Sequence, residues 1–324
     1  MYEQFFGVQK APFKLTPDPE FLYLTSQYQE ALAGLTYAIL ARKGFVVLTG
    51  NAGTGKTTLV TRIMQCLPAS RVQSSVIVHP TLTPSEFLEA AMLDFGIKEI
   101  PSSKPQRIAA LQGFLWKGHK EDRVSALIVD EAHKLSPEVL EEIRLLGNFE
   151  SADEKLLQIA LIGQSELDDL LDNESLRQLK QRVALRLSID PLSPQDVEHY
   201  IEHRWKRAGG RVTPFTAEAI VHIGHGSQGI PRLINVICDN ALTQAYSEGS
   251  RVADSRHVFG ACQDLHLALA APPKKLAVEA PAPLPAVESC PLKTLERYAK
   301  KAAAPSLLGW LGSKLGIVQR METV

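Results

Sequence analysis

Eight consecutive residues, Gly50-Asn51-Ala52-Gly53-Thr54-Gly55-Lys56-Thr57, have the composition and spacing of a loop that grips phosphate. Glycines at these intervals let the chain bend until several backbone N–H groups converge on one anion. Lys56 then reaches the β- and γ-phosphates, and the Thr57 hydroxyl is a hard oxygen ligand for Mg²⁺. With Thr58 in the following turn, the nucleotide-binding set is Gly50, Asn51, Ala52, Gly53, Thr54, Gly55, Lys56, Thr57 and Thr58. The chemistry this stretch offers is binding of a nucleoside triphosphate, with ATP and Mg²⁺ as the expected ligands.

A second group could act on what the loop binds. The apolar run Ala126-Leu127-Ile128-Val129 ends in Asp130-Glu131. Asp130 is suited to holding Mg²⁺ through water, and Glu131 to polarising the water that attacks the γ-phosphate. Read alone, an acidic pair after a strand can equally start a helix. The letters Asp130-Glu131-Ala132-His133 also spell a helicase box, but such helicases need a second domain of the same kind, and a short helical segment follows here. Gln164, after Leu161-Ile162-Gly163, is either a polar sensor near the γ-phosphate or the cap of the next helix. Arg177, Arg182 and Arg186 follow; each reads either as a surface salt-bridging residue or as a cation that completes a neighbouring subunit's site, with Arg182 the favoured candidate for the latter. In Gly229-Ile230-Pro231-Arg232, proline suits a first helical turn, from which Arg232 could reach phosphate or simply stay in solvent. The pairs His199 and His203, and His222 and His225, lack a metal-site pattern and read as structural.

These side chains need elements to carry them. Phe45-Val46-Val47-Leu48-Thr49 predicts a buried strand ahead of the loop, and Leu59, Val60, Ile63 and Met64 predict the helix behind it. Further strands are predicted over 75–78, 126–129, 156–162 and 183–189, with helices over 27–41, from Pro84, and over 105–116. Alternating strands and helices predict an α/β fold, an αβα sandwich around a parallel sheet. From Ser193 onward the pattern is helical, which predicts an all-α lid. The expected domains are an N-terminal segment 1–44, a nucleotide-binding domain 45–190, a lid 191–269, an alanine/proline-rich linker 270–290 and a basic tail 291–324. The aromatic and proline-rich start, with Phe5, Phe6, Phe13, Phe21 and Tyr23, is expected to wrap the core irregularly.

The chain of 324 residues can hold two domains, and its net charge of −1 gives no global basic field for nucleic acid. Its four cysteines form no paired motif and read as reduced thiols of a cytoplasmic protein. The start Met-Tyr-Glu-Gln has no leader character, and no run approaches the ~20 apolar residues that span a bilayer. The tail joins Lys293, Arg297, Lys300, Lys301, Lys314 and Arg320 to the apolar Leu307-Leu308-Gly309-Trp310-Leu311. It reads either as a poorly ordered end or as a helix docking on a partner or membrane surface.

In this order the elements resemble the AAA+ ATPases, and over about residues 1–267 they resemble the ExeA/GspA-type secretion ATPases. The resemblance rests on Tyr2-Glu3-Gln4-Phe5-Phe6-Gly7, Pro12-Phe13, Thr16-Pro17-Asp18-Pro19, Val129-Asp130-Glu131-Ala132, Gln181-Arg182 and Gly229-Ile230-Pro231-Arg232-Leu233-Ile234-Asn235. It implies ATP hydrolysis in a ring of identical subunits, such as a hexamer, with sites at the subunit interfaces. It also implies Gln164 as sensor 1, Arg182 as arginine finger and Arg232 as sensor 2. His133 departs from relatives that often carry glutamine there. Secretion members typically continue into a transmembrane helix and a peptidoglycan-binding domain, which this sequence lacks. The resemblance is therefore to the soluble, exosortase- and exopolysaccharide-associated branch, powering or regulating assembly of an envelope export machine. The expected partners are envelope export proteins, and the expected location is cytoplasmic, with peripheral inner-membrane contact through the tail. The alternatives are a DNA-associated ATPase resembling the transposition target selector MuB, and a nucleotide switch in which Glu131 is idle. Near-neutral charge and the lack of a recognisable helix-turn-helix point away from DNA.

Overall fold

The computed structural model describes residues 2–16, 18–78 and 81–267. The chain runs α1 (Tyr2–Phe6), α2 (Ser26–Leu40), β1 (Phe45–Gly50), α3 (Lys56–Cys66), β2 (Val72–Ile77), α4 (Pro84–Asp94) and α5 (Lys104–Lys120). It continues through β3 (Val124–Val129), α6 (Pro137–Leu146), β4 (Leu157–Gly163), α7 (Glu166–Leu171), α8 (Arg177–Lys180) and β5 (Val183–Ile189). Four longer helices follow: α9 (Pro194–Arg207), α10 (Ala217–Ser227), α11 (Pro231–Ser247) and α12 (Ser255–Asp264). The linker 270–290, the tail 291–324 and Cys290 lie outside the described residues, as do Pro17 and the last residues of the expected lid.

Several helices start where the sequence supplies both a cap and a rigid first turn. Thr83-Pro84, Ser136-Pro137 and Ser193-Pro194 each put a hydroxyl at the N-cap and proline just inside. At α4 the Glu86 carboxylate also accepts from the Thr83 N–H at 2.8 Å, closing a capping box.

The described residues form two compact units that are discontinuous in sequence. One contains 26–49 and 63–188, the other 2–25, 50–62 and 189–267. The first of these holds a five-stranded sheet in the order β2-β3-β4-β1-β5. The pairs β2–β3, β3–β4 and β4–β1 are parallel. β3 and β4 are buried along their whole length, as a strand covered on both faces must be, whereas β5 is partly exposed at the sheet edge. Phe87, Met92, Leu111 and Ile143 pack with Val47, Leu127 and Leu161 into one core. Thr49 pairs with Gly163, and Val129 with Leu161, so the carboxyl ends of β1, β3 and β4 come level. In open sheets of this kind the ligand crevice lies beyond that edge.

In the second unit the N-terminal segment is more regular than expected. It forms α1 and a 3-10 turn at Pro19–Phe21, and it packs on the helices of the carboxyl-terminal half. The Tyr2 hydroxyl donates to the Asp239 carboxylate on α11, Phe5 meets Tyr246 edge-on at 5.3 Å, and Phe13 meets Phe215 at 6.1 Å. Arg204 on α9 is buried and donates to the carbonyls of Pro12 (2.7 Å) and Lys14 (3.5 Å) while lying over the Phe21 ring. Among the described residues no strand follows β5, and no helix is long and apolar enough to cross a membrane.

Candidate functional site

The phosphate loop has the conformation its glycines were expected to allow. Gly53 and Gly55 lie in the left-handed region, at φ 80° and 94°. Thr54 is fully buried, and its hydroxyl donates to the Asn51 carbonyl at 2.8 Å, pinning the bend. α3 begins at Lys56, so the partial positive charge of its first turn faces the loop. Lys56 is only 5% exposed, and its ammonium donates to the carbonyls of Gly50 (2.6 Å) and Asn51 (2.8 Å). A buried ammonium satisfied by carbonyls of its own loop can exchange them for phosphate oxygens at little desolvation cost.

The start of α11 closes on the same loop. The Arg232 N–H donates to the Gly53 carbonyl at 3.2 Å. A Cβ on Gly53 would stand 2.9 Å from the Arg232 Cβ and 3.0 Å from the Ile230 Cγ2. Pro231 occupies the first turn of α11, as its sequence position predicted. The Arg232 guanidinium is exposed and enters no ion pair among the described residues. Ile230 escaped the sequence reading, because an apolar residue ahead of a helix carries no local signal of what it covers.

The sheet-bearing unit holds the acidic pair. Asp130 is 3% exposed, and its Oδ1 accepts from the Glu131 N–H at 2.9 Å. Glu131 is itself left-handed at φ 57°, a costly conformation for a residue with a Cβ. A 3-10 turn at Ala132–Lys134 follows, so the pair does not open an α-helix. The Glu131 carboxylate meets the Lys134 ammonium at 2.9 Å and His133 Nε2 at 3.7 Å. Lys134 was also missed, although its place three residues after Glu131 offered a signal. Gln164 directly follows β4 with its side-chain amide unbonded among the described residues, and its carbonyl, not its side chain, accepts from Leu167. Thus the side chain does not cap α7. Arg182 donates to the Arg144 carbonyl at 2.8 Å, Arg186 pairs with Asp168 at 2.9 Å, and Arg177 is exposed.

Each unit offers one hard oxygen donor. A hydroxyl at Thr57 and a carboxylate at Asp130 are oxygen ligands of the kind Mg²⁺ takes when phosphates and water complete its shell. No cluster of three or more potential metal-ligating side chains exists among the described residues, and the histidines of α9 and α10 assemble none. His203 instead meets the Tyr23 ring at a tilt, with centroids 5.6 Å apart, and burial, aided by Arg207, Arg204 and Lys206, pushes its pKa down from 6.5 to about 4. The Tyr23 phenol is pushed up to about 12, by burial first and then by Asp196, to which it donates at 3.4 Å.

Comparison with known proteins follows the same lines. Residues 40–171 match a family described as an AAA domain. The chain is 42% identical over 254 residues to general secretion pathway protein A of Aeromonas hydrophila, covering 77% of this chain and 46% of that protein. It is 25% identical over 245 residues to the ATP-dependent target DNA activator B of Escherichia phage Mu, covering 73% of this chain and 71% of that protein. Among solved structures, the ORC2 protein of Aeropyrum pernix in its ADPNP–ADP complexes superposes with a TM-score of 0.59 at 16% identity, over 79% of this chain and 72% of that one. At that identity the likeness establishes the fold. The chain spans less than half the length of the secretion relative, 46%.

Proposed function

Because the chain belongs to the AAA+ ATPases of the general secretion pathway protein A type, we propose that it binds and hydrolyses ATP to power or regulate assembly of an envelope secretion or exopolysaccharide export system. The observation that carries the nucleotide chemistry is Lys56, a buried ammonium held by two carbonyls of a loop bent through two left-handed glycines. The loop N–H groups and Lys56 bind the phosphates, and Lys56 gives up its bonds to Gly50 and Asn51 to do so. Thr57 and Asp130 would hold Mg²⁺, which supplies neutralisation of charge on the phosphate oxygens. Glu131 orients the attacking water and accepts its proton. Gln164 contacts the γ-phosphate, Arg232 closes on it from the start of α11, and Arg182 completes the site of a neighbouring subunit. The last role requires a homo-oligomer, and Arg182 must then release the Arg144 carbonyl.

The envelope role is supported by the 42% identity to a secretion protein. A second reading, a DNA-associated ATPase, is supported by the 25% identity to the phage activator. The deciding experiment measures ATP turnover and particle size with and without duplex DNA at two salt concentrations. The export reading expects ATP-dependent assembly and turnover indifferent to DNA. Strong stimulation that falls steeply with salt would establish the DNA reading in its place. Glu131→Gln should keep ATP binding and lower turnover by about two to four orders of magnitude. Unchanged turnover in that variant removes Glu131 as the base.

A further inference from the structure

His133 stands where the turn after β3 approaches the end of β4. Its Nδ1 accepts a hydrogen bond from the Gln164 N–H at 3.3 Å. A ring nitrogen that accepts carries no proton, so the neutral ring holds its hydrogen on Nε2. That nitrogen faces Glu131 Oε2 across 3.7 Å, a few tenths of an ångström beyond a hydrogen bond. The approach of turn and strand is tight, since a Cβ on Gly163 would stand 3.1 Å from the His133 backbone nitrogen.

The Glu131 carboxylate also pairs with Lys134. Its backbone is strained, at φ 57°, and its pairing with Lys134 involves an ammonium that is 54% exposed. An exposed ion pair of this kind holds a side chain weakly. The His133 ring is 11% exposed and is anchored on its far side to the main chain.

We propose that His133 is a positioning residue whose two ring nitrogens tie the Glu131 carboxylate to the main chain at Gln164, so that the base and the end of β4 move together. The proposal rests on the reading of Glu131 as base and Gln164 as phosphate contact. Displacement of the Gln164 main chain carries the imidazole with it, and the Nε2 proton then draws Glu131 from Lys134 toward its working position.

Two conservative variants separate the two nitrogens. In His133→Asn the amide reaches the depth of Nδ1 and can accept from Gln164, but it falls short of Glu131. In His133→Gln the amide reaches the depth of Nε2 and can donate to Glu131. Turnover is measured on the full chain, with melting temperature as the folding control. We expect His133→Ala and His133→Asn to lower kcat about tenfold with KM changed less than about twofold, and His133→Gln to stay within about threefold. The proposal is overturned by a His133→Ala kcat within about twofold of the parent, or by equal impairment of the Asn and Gln variants. Nitrogen-15 spectra of histidine-labelled, nucleotide-free protein give a readout independent of turnover. The His133 signal, assigned by its loss in His133→Gln, should show the Nε2-protonated ring, and an Nδ1-protonated ring overturns the proposal. Normal turnover in Glu131→Gln would instead defeat the base reading, and the ring spectra would still test the tie to Gln164.

Discussion

At the scale of single residues, Gly53 and His203 show how position decides what a side chain can be. Gly53 is doubly constrained, by a left-handed backbone and by Ile230 and Arg232 at the distances of a steric clash. Gly53→Ala should therefore weaken ATP binding and cost about 1–3 kcal/mol of stability. Nucleotide titration and denaturant unfolding of the variant check both effects. For His203, the folded-state pKa of about 4 lies below the ordinary 6.5. Above pH 6.5 both folded and unfolded chains carry a neutral ring, and its contribution is fully present. As pH falls from 6.5 toward 4 the unfolded chain takes a proton that the folded chain refuses, so stability declines. Urea midpoints across that window should fall less steeply in His203→Gln than in the parent protein. The loop glycines, Lys56 and Asp130-Glu131 were legible in sequence because their chemistry is set by contiguous residues. His133 as a neighbour of both Glu131 and the Gln164 main chain was not, because that approach depends on a left-handed turn that no apolar period announces.

At the scale of elements, strands and helices followed their patterns closely. β5 occupies the predicted residues, and the strand predicted over 75–78 begins earlier, at Val72. Its stretch Gln73-Ser74-Ser75 is polar, yet together with Val72 it pairs with Val124 through Leu127, so partner strands extend an element that local composition undersells. The N-terminal segment is the larger difference. Its composition predicts an irregular wrap, and its order comes from Arg204, whose guanidinium holds the Pro12 and Lys14 carbonyls and reaches the Tyr200 hydroxyl at 3.1 Å. Arg204→Leu leaves those carbonyls without their charged donor and should cost about 3 kcal/mol. It should also open residues 2–25 to protease, and a melting curve with a timed digest checks both. Unaltered protection of that segment would show that its aromatic contacts suffice.

At the scale of the whole molecule, the compact units cut across the linear order, because residues 2–25 and 50–62 cluster with 189–267. The phosphate loop therefore shares a unit with Arg232, and the sheet-bearing unit carries Glu131, Gln164 and Arg182. If Arg182 acts on a neighbouring copy, mixing Arg182→Ala with Lys56→Ala subunits should restore part of the turnover that each lacks. No recovery at any ratio, with particle size preserved, would count against a finger in trans. The amino-acid sequence by itself determined the available chemistry: a phosphate loop between strand and helix, an acidic pair after an apolar run, and alternating elements that demand a covered parallel sheet. Each of these is written in neighbouring residues, through backbone freedom, side-chain type and the period of apolar positions. Only the tertiary structure decided that α11 closes on Gly53, that Arg204 orders the first residues, and that His133 spans Glu131 and Gln164. Those contacts join segments far apart in the chain or turn on one strained residue, and burial and polar satisfaction, which act only in the folded molecule, select the partners.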